Sequence, residues 1–393
     1  MRDDAQAMRP ELVALRRELH REPEVGLALP RTQEKVLAAL GGLPLEVTQG
    51  SSLSSVTAVL RGGRPGPVVL LRADLDALPV TEEVDLPYRS RFAGRMHACG
   101  HDLHTAMLVG AAHLLAGRRG ELAGSVVLMF QPGEEGYDGA RHMIEEGVLD
   151  AAGQRPVAAY ALHVSSALWP RGRFATRAGC LMSASDLLSV TVHGSGGHGS
   201  APHRSRNPIP AACAMVNALQ TFLAGAVDPM EAAVVSVGSI HAGTEANIVP
   251  PTAHFEATVR TFDAGVRTTI AEGVVRLCQD IARAYGMTAD ARFHSQYPLT
   301  IAAEQESAFA AATAQELFGE DRFERMPHPL TASEDFSRVL DAVPGTIVQL
   351  GAAPPDRDWR TAPTNHSPLA AFDDSVLPDG AALYAELARR RLS

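Results

Sequence analysis

Three short apolar runs, each delivering polar residues at its carboxyl end, constrain this chain more than any other feature. Val68 to Leu71 runs into RADLDALP, Val126 to Phe130 into QPGEEG, and Val157 to Leu162 into His163. Continuous apolar runs of this length read as strands buried on both faces. Between the first two lies an apolar helix, DLHTAMLVGAAHLL, from Asp102 to Leu115 with Asp102 as its N-cap. Strand, helix and strand in that order predict the β-α-β alternation of an α/β sheet, whose ligands bind at the strand carboxyl ends. Upstream, Leu12, Leu15 and Leu19 among charged neighbours predict one amphipathic helix, and Arg31 to Leu40, stopped by Gly41 and Gly42, predicts a second.

The pattern changes after about residue 182. Strand-like DLLSVTVH is followed by a helix from Pro208 to Leu223, strands AAVVSVGSI and AHFEATVR, a helix from Val266 to Tyr285 and a strand near Ala289. That β-α-β-β-α-β order is a ferredoxin-like split unit, which can be inserted in a larger domain. A chain of 393 residues also exceeds one core of usual size. The expected fold class is therefore α/β, with a catalytic domain in two parts, 1–181 and 293–393, and 182–292 inserted between them. The second part reads as a helix from Glu304 to Phe318, a strand from Thr346 to Leu350, a loop holding His366 and a helix from Gly380 to Arg390.

Charge narrows the function classes. A formal net charge of -10 disfavours a nucleic-acid partner and a two-metal nuclease, since both need a basic track for phosphates. The one basic run, Arg389 to Arg391, reads as the end of a solvated helix. The N-terminus alternates acid and base without an apolar segment of signal-peptide length, and no later window reads as an uninterrupted membrane span. A cytoplasmic protein without a membrane partner is the expectation. Cys99, Cys180, Cys213 and Cys278 form no C-x-x-C pair and no disulfide framework.

The chemistry concentrates in MHACGHDLH, which gathers His97, Cys99, His101 and His104 at a predicted helix start. Gly100 allows a tight backbone approach, and a helix N-terminus favours an anionic thiolate ligand. Taken singly, each would read as a buried free cysteine or a core histidine. Together with Glu134, Glu135, His163 and His366, all expected at one sheet edge, they read as a metal site of imidazole, thiolate and carboxylate donors. Adjacent glutamates allow one to bind metal while its neighbour takes a proton from water. Asp74 and Asp76 follow the first strand, placed either to orient ligand histidines, the role in which Asp76 counts with the catalytic residues, or to cap a turn.

These strings resemble a known family. RRELHREPEVG, RADLDALP, MHACGHDLHTAMLVGAA, FQPGEEGYDGARHMIEEGVL, GSGGHGSAPH, NIVPP, TVRTFD, SEDF and NHSP occur in the order shown by relatives of aminoacylase and glutamate carboxypeptidase, in the branch of hippurate hydrolase and the plant indoleacetyl-amino acid hydrolases. The resemblance implies a mixed-sheet catalytic domain holding two divalent ions, manganese or zinc, with nickel and cobalt as alternatives. Cys99 would bridge the ions, with His101 and His163 on one and Glu135 and His366 on the other. Glu134 becomes the general base for water attacking an amide carbonyl. The inserted domain would be a lid that dimerises, leaving a tetramer open, and would carry His198 to the partner subunit's site to bind the oxyanion. Asn247 and Arg260 would hold the substrate carboxylate. From its residues alone, His198 between glycines reads equally as an exposed turn residue. Departures from the family pattern fall around substrate recognition, at Asn207, Ala242, Ala257 and Ala332 and in the spacing after His366.

The expected activity is hydrolysis of N-acyl-L-amino acids, small molecules such as hippurate or N-acetyl and indoleacetyl conjugates. The rivals are a dipeptidase or carboxypeptidase on the same site, a deacetylase of the N-acetyl-diaminopimelate type, and a non-catalytic metal or ligand-binding relative. Retention of Glu134 argues against the last, because a binding relic has no use for a general base.

Overall fold

The three apolar runs fold as strands of one sheet, Arg64–Asp74, Ala123–Gln131 and Ala158–Ser165. In the computed structural model, which describes all 393 residues, the chain forms two units with separate cores. The first comprises Met1–Leu181, Ile301–His328 and Asp335–Ser393, and the second Met182–Thr300 and Pro329–Glu334.

The first unit is built on an eight-stranded mixed sheet. Its spatial order is Leu45–Gln49, Val56–Arg61, Ala123–Gln131, Arg64–Asp74, Ala158–Ser165, Gly345–Gly351, Phe174–Thr176 and Phe323–Arg325. The four strands from Ala123–Gln131 to Gly345–Gly351 run parallel. Asp74 pairs with Gln131 and His163 with Gln349, so their carboxyl ends form one edge. The outermost strand, LEVTQ, is too polar to read as a strand by itself and forms by antiparallel pairing with Val56–Arg61.

Behind this edge lies the helix His101–Ala116, almost entirely buried. A helix apolar all round needs partners on every side. It finds them in the sheet and in the C-terminal helix Leu377–Arg391, which joins the same core through Ala381, Leu383 and Leu387. Two expectations are corrected here. The C-terminal helix is buried from Leu377 to Ala388, not solvated, and Arg389 and Arg390 end it in ion pairs with Glu386. The N-cap of the site helix is Gly100, not Asp102. Asp102 turns into the core to meet Arg16 and His20, because a buried carboxylate gains more from counter-charges than from capping backbone N–H groups.

The second unit has the strands Ala184–His193, Ala233–Ala242, Thr252–Thr261 and Thr288–Tyr297 in one antiparallel sheet. Their spatial order is Ala233–Ala242, Thr252–Thr261, Ala184–His193, Thr288–Tyr297, with helices Pro208–Ala226 and Ala264–Ala284 after the first and third in sequence. The last strand runs past 292 to Tyr297. Leu188, Val190 and Val192 alternate onto one face and pack with Met215, Leu219, Ile270 and Val274. Both helices have side-chain N-caps, Asn207 accepting from Ile209 N and Asp263 from Gly265 N and Val266 N.

By length and composition alone, Pro208–Ala226 is apolar enough to cross a membrane, a span the sequence reading did not register. Its apolar residues Ala211, Met215 and Leu219 belong to the core of the unit, while Asn217, Gln220 and Thr221 are exposed. That is the pattern of a helix covering a sheet with one face.

Candidate metal centre

Cys99 and His101 reach the sheet edge through a turn that only glycine can make. Gly100 has φ +83°, and a Cβ there would stand 2.4 Å from Val164 Cγ2. The second loop, after Ala123–Gln131, turns through Gly133 at φ +75°, where a Cβ would meet Leu27 Cδ2 at 2.4 Å. Asp76 fixes that loop by accepting the backbone N–H groups of Glu134 and Glu135, each at 3.0 Å, and its Oδ1 also lies 3.5 Å from His101 Nδ1. The turn-capping and histidine-facing positions expected as alternatives are thus occupied by one side chain.

The structure draws the expected donors into two sets that share a sulfur. Cys99, His101 and His163 form one, Cys99, Glu135 and His366 the other, with the donor atoms of each set within 4.8 Å of one another. Cys99 Sγ is 3.5 Å from His163 Nε2, and His366 Nε2 is 3.2 Å from Glu135 Oε1. Bonds of about 2.0–2.3 Å to one ion put tetrahedral donors about 3.3–3.8 Å apart, so these separations are of the right size. Glu134 is buried and groups with His101 and Glu135 in the same way.

Unsatisfied atoms provide a separate test of whether a cation belongs here. Both ring nitrogens of His101 are buried without a hydrogen-bond partner, the nearest oxygens of Asp76 and Asp74 standing 3.5 and 3.6 Å away, a costly arrangement unless something else binds them. Burial alone would push the His101 imidazole down, yet Asp74 and Cys99 beside it hold it well above the ordinary histidine value. Hydrogen bonds to Cys99 and Glu135 likewise raise His366 to about 10. Burial drives His163 well below its ordinary value, and its Nδ1–H donates to Val164 O at 2.9 Å, which leaves the Nε2 lone pair facing Cys99. An excess of negative charge, free lone pairs and a shared sulfur fit a pair of divalent cations.

His366 sits in the left-handed region at φ +72°, a conformation that costs a non-glycine residue roughly 1–3 kcal/mol and persists where its surroundings over-determine it. Its N–H donates to Ala98 O at 2.9 Å, tying the loop to the Cys99 turn.

The other residues of MHACGHDLH separate by role. His104 has both nitrogens engaged, Nδ1 with Asp74 Oδ1 at 2.6 Å and Nε2 accepting Val164 N–H at 2.8 Å, so it braces the His163 strand instead of offering a lone pair. His97 lies with His20, and burial lowers it to about 3. Beneath the edge, the wholly buried Arg72 pairs with Asp74 at 2.7 Å and Asp335 at 3.0 Å, and Asp335 also accepts from Gln131 and from Ala140 N. Arg72 and Asp335 escaped sequence reasoning as site supports, although a lone arginine within an apolar strand was a usable signal.

His198, Asn247 and Arg260 belong to the second unit. His198 is exposed and pairs with Ile248, next to Asn247, in a two-stranded ribbon. Its Nδ1 accepts from Ser200 N at 3.1 Å, which places the ring proton of the neutral form on Nε2 as an outward donor. Arg260 is partly buried and donates to Ser333 Oγ at 3.0 Å, while neighbouring Asp186 is taken up by a two-pronged pair with Arg267.

Comparison with known proteins agrees with this architecture. The chain is 36% identical over 392 residues to thermostable carboxypeptidase 1 of Saccharolobus solfataricus, covering 99% of this chain and 97% of that one. It is 35% identical to hippurate hydrolase of Campylobacter jejuni, covering 97% of each. The crystal structure of the Bacillus subtilis YXEP protein, a dinuclear metal binding peptidase from the M20 family, superimposes with a TM-score of 0.83 at 32% identity over 98% of this chain and 99% of that one. The model of peptidase family M20/M25/M40 matches residues 70–390, and the chain belongs to that family.

Proposed function

We propose that this M20-family hydrolase cleaves the amide bond of N-acyl-L-amino acids. The observation that carries the reading is the pair of donor sets sharing Cys99, with the buried carboxylate of Glu134 beside them. The 35% identity to hippurate hydrolase supports the substrate class. In this reading Cys99 would be shared between two ions, with His101 and His163 holding one and Glu135 and His366 the other. Manganese or zinc suits these donors, with nickel and cobalt as alternatives. Two bound divalent ions supply Lewis-acid activation of water and of the scissile carbonyl.

The chain's own residues do the rest. Glu134 takes a proton from the attacking water and returns it to the departing amine nitrogen as the C–N bond breaks. Asp76 holds the Glu134–Glu135 turn through both backbone N–H groups, which keeps base and ligand on their respective sides. His198, with Nε2–H directed outward, would donate to the oxyanion developing in the partner subunit's site. Arg260 has no ion-pair partner in its unit, and burial works against its charge, so a substrate carboxylate is the partner it lacks. Asn247 supports the same carboxylate.

The second unit serves as a lid that dimerises. The exposed edge strand Ala233–Ala242, presenting Val234 and Ile240, supports this reading, and sedimentation of the purified protein at increasing concentration tests it.

A second reading, a carboxypeptidase, is favoured by the 36% identity to thermostable carboxypeptidase 1. A peptide C-terminus and an N-acyl amino acid share the free carboxylate, so they differ only on the acyl side. Hydrolysis of benzoyl, acetyl and indoleacetyl amino acids and of dipeptides, with manganese or zinc and with chelator, separates the two. Activity confined to peptides would overturn the amidohydrolase reading.

A further inference from the structure

One side chain next to His366 reaches both the Cys99 turn and the His163 strand. Asn365 Nδ2 donates to Cys99 O at 3.2 Å and to Val164 O at 3.0 Å, and lies 3.7 Å from Cys99 Sγ. Its Oδ1 accepts from Ser166 N at 2.9 Å, with Ser166 Oγ at 3.0 Å. The orientation of the amide is not arbitrary. A backbone N–H can only donate and the two carbonyls only accept, so a flipped amide would lose the bonds to Ser166 N, Cys99 O and Val164 O.

Each contact has a consequence for a donor. Cys99 O belongs to the residue whose sulfur is shared by both donor sets. Val164 O is the atom that receives the Nδ1–H of His163 and so fixes its tautomer. The backbone of Asn365 leads directly into His366 at φ +72°, and a ligand in a strained conformation stays there only if its neighbours hold it. Ser166 follows the His163 strand, so the bonds to Oδ1 add a second clamp between the His366 loop and that strand.

We propose that Asn365 is a positioning residue for the dinuclear centre, locking the Cys99 turn, the His163 strand and the His366 loop into one geometry through a fully used amide. The proposal rests on the metal-site reading above and adds to it a residue that binds no metal itself. Replacing the amide with a carboxylate separates positioning from charge. Asn365→Asp keeps the shape and adds a negative charge that would by itself draw a cation closer, but it turns oxygen toward two carbonyls.

The test is titration of metal-free protein with cadmium, read by thiolate-to-metal charge-transfer absorption, with Cys99→Ser defining the part of the band that belongs to Cys99. Thermal melting of each metal-free variant checks folding. Asn365→Ala and Asn365→Asp are expected to weaken cadmium binding about 10–100-fold, the usual effect of removing a group that orients metal ligands, with metal-free melting close to wild type. Wild-type affinity in Asn365→Ala, or tighter binding in Asn365→Asp, would overturn the positioning role while leaving the metal site intact. Absence of the Cys99 band in the wild-type protein would instead overturn the metal-site reading on which it stands. Should Asn365→Ala melt early, Asn365→Asp alone decides, since it retains the Ser166 acceptor.

Discussion

His101 and Asp102 are neighbours in sequence but enter two different clusters, and the contrast between these separates function from stability. On the Asp102 side, Arg16, His20, Glu82 and Asp374 are buried and each charge meets its opposite. His20 Nδ1 lies 2.8 Å from Asp102 and its Nε2 3.1 Å from Glu82, and Arg16 reaches both Asp102 and Asp374. On the His101 side, the ring nitrogens stand 3.5 and 3.6 Å from Asp76 and Asp74, beyond a normal hydrogen bond, and carboxylates and a thiol crowd around them. The first cluster is complete in charge without any added group. The second has donors to spare, and folding alone does not account for them.

Breaking each cluster in turn sharpens that contrast. The largest effect is expected at Glu134, where Glu134→Gln should cut turnover about 10²–10⁴-fold, the range of general-base catalysis. Steady-state rates beside a metal titration will show whether binding is retained. The contrast fails if turnover survives.

Asp102→Ala leaves Arg16 and His20 buried without their shared partner and should destabilise the first unit by about 3–5 kcal/mol, visible as a lower melting temperature in metal-free protein. Cys99→Ser, three residues away, is near-isosteric and leaves His101 beside Asp74 and His366 beside Glu135, so it should cost about 1 kcal/mol or less under the same conditions. Equal losses at the two positions would mean that the clusters do not differ in the way described.

The complete cluster also carries a pH signature. Burial opposes the charged form of His20, but Asp102 and Glu82 outweigh it and raise its pKa above the ordinary value. A raised folded-state pKa contributes stability in full below the unfolded value of about 6.5, and that contribution is lost as pH rises through the folded value. Asp102, held well below the carboxylate range by Arg16 and His20 in spite of its burial, behaves oppositely and loses its contribution in acid. Melting temperature followed across alkaline pH should fall less steeply in His20→Gln than in wild type. Parallel profiles would remove His20 from the account.

The smallest effect sets a baseline away from both clusters. Asp263 caps the helix Ala264–Ala284 from an exposed position, and Asp263→Ala should cost about 0.5–2 kcal/mol in chemical denaturation. A loss as large as that at Asp102 would show that burial of the charges is not what distinguishes the Asp102 cluster.

Much of the candidate site was legible because its residue types are rare and closely spaced. MHACGHDLH and QPGEEG place cysteine, histidine and glutamate after strands whose apolar runs identify them, and ligands at strand carboxyl ends follow from α/β architecture. Asp102 was misread because capping is a local rule, while its true partners Arg16 and His20 lie on a helix far earlier in the chain. Asn365 escaped for the same reason: an asparagine between prolines reads as a loop residue until the strand that brings Val164 and Ser166 beside it is in place.

What the sequence determined by itself was the central strands of the large sheet with the helices that pack on them, the β-α-β-β-α-β order of the second unit and the inventory of donors, since hydrophobic period and residue chemistry are properties of the chain. Only the tertiary structure decided which histidines face the metal donors. His97, His101 and His104 are alike in the string, and they part because each meets different groups in the core: the His20 ring for the first, carboxylates and a thiol for the second, Asp74 and a backbone N–H for the third. Burial makes that difference matter, because away from water a ring nitrogen must take whatever partner packing has placed beside it.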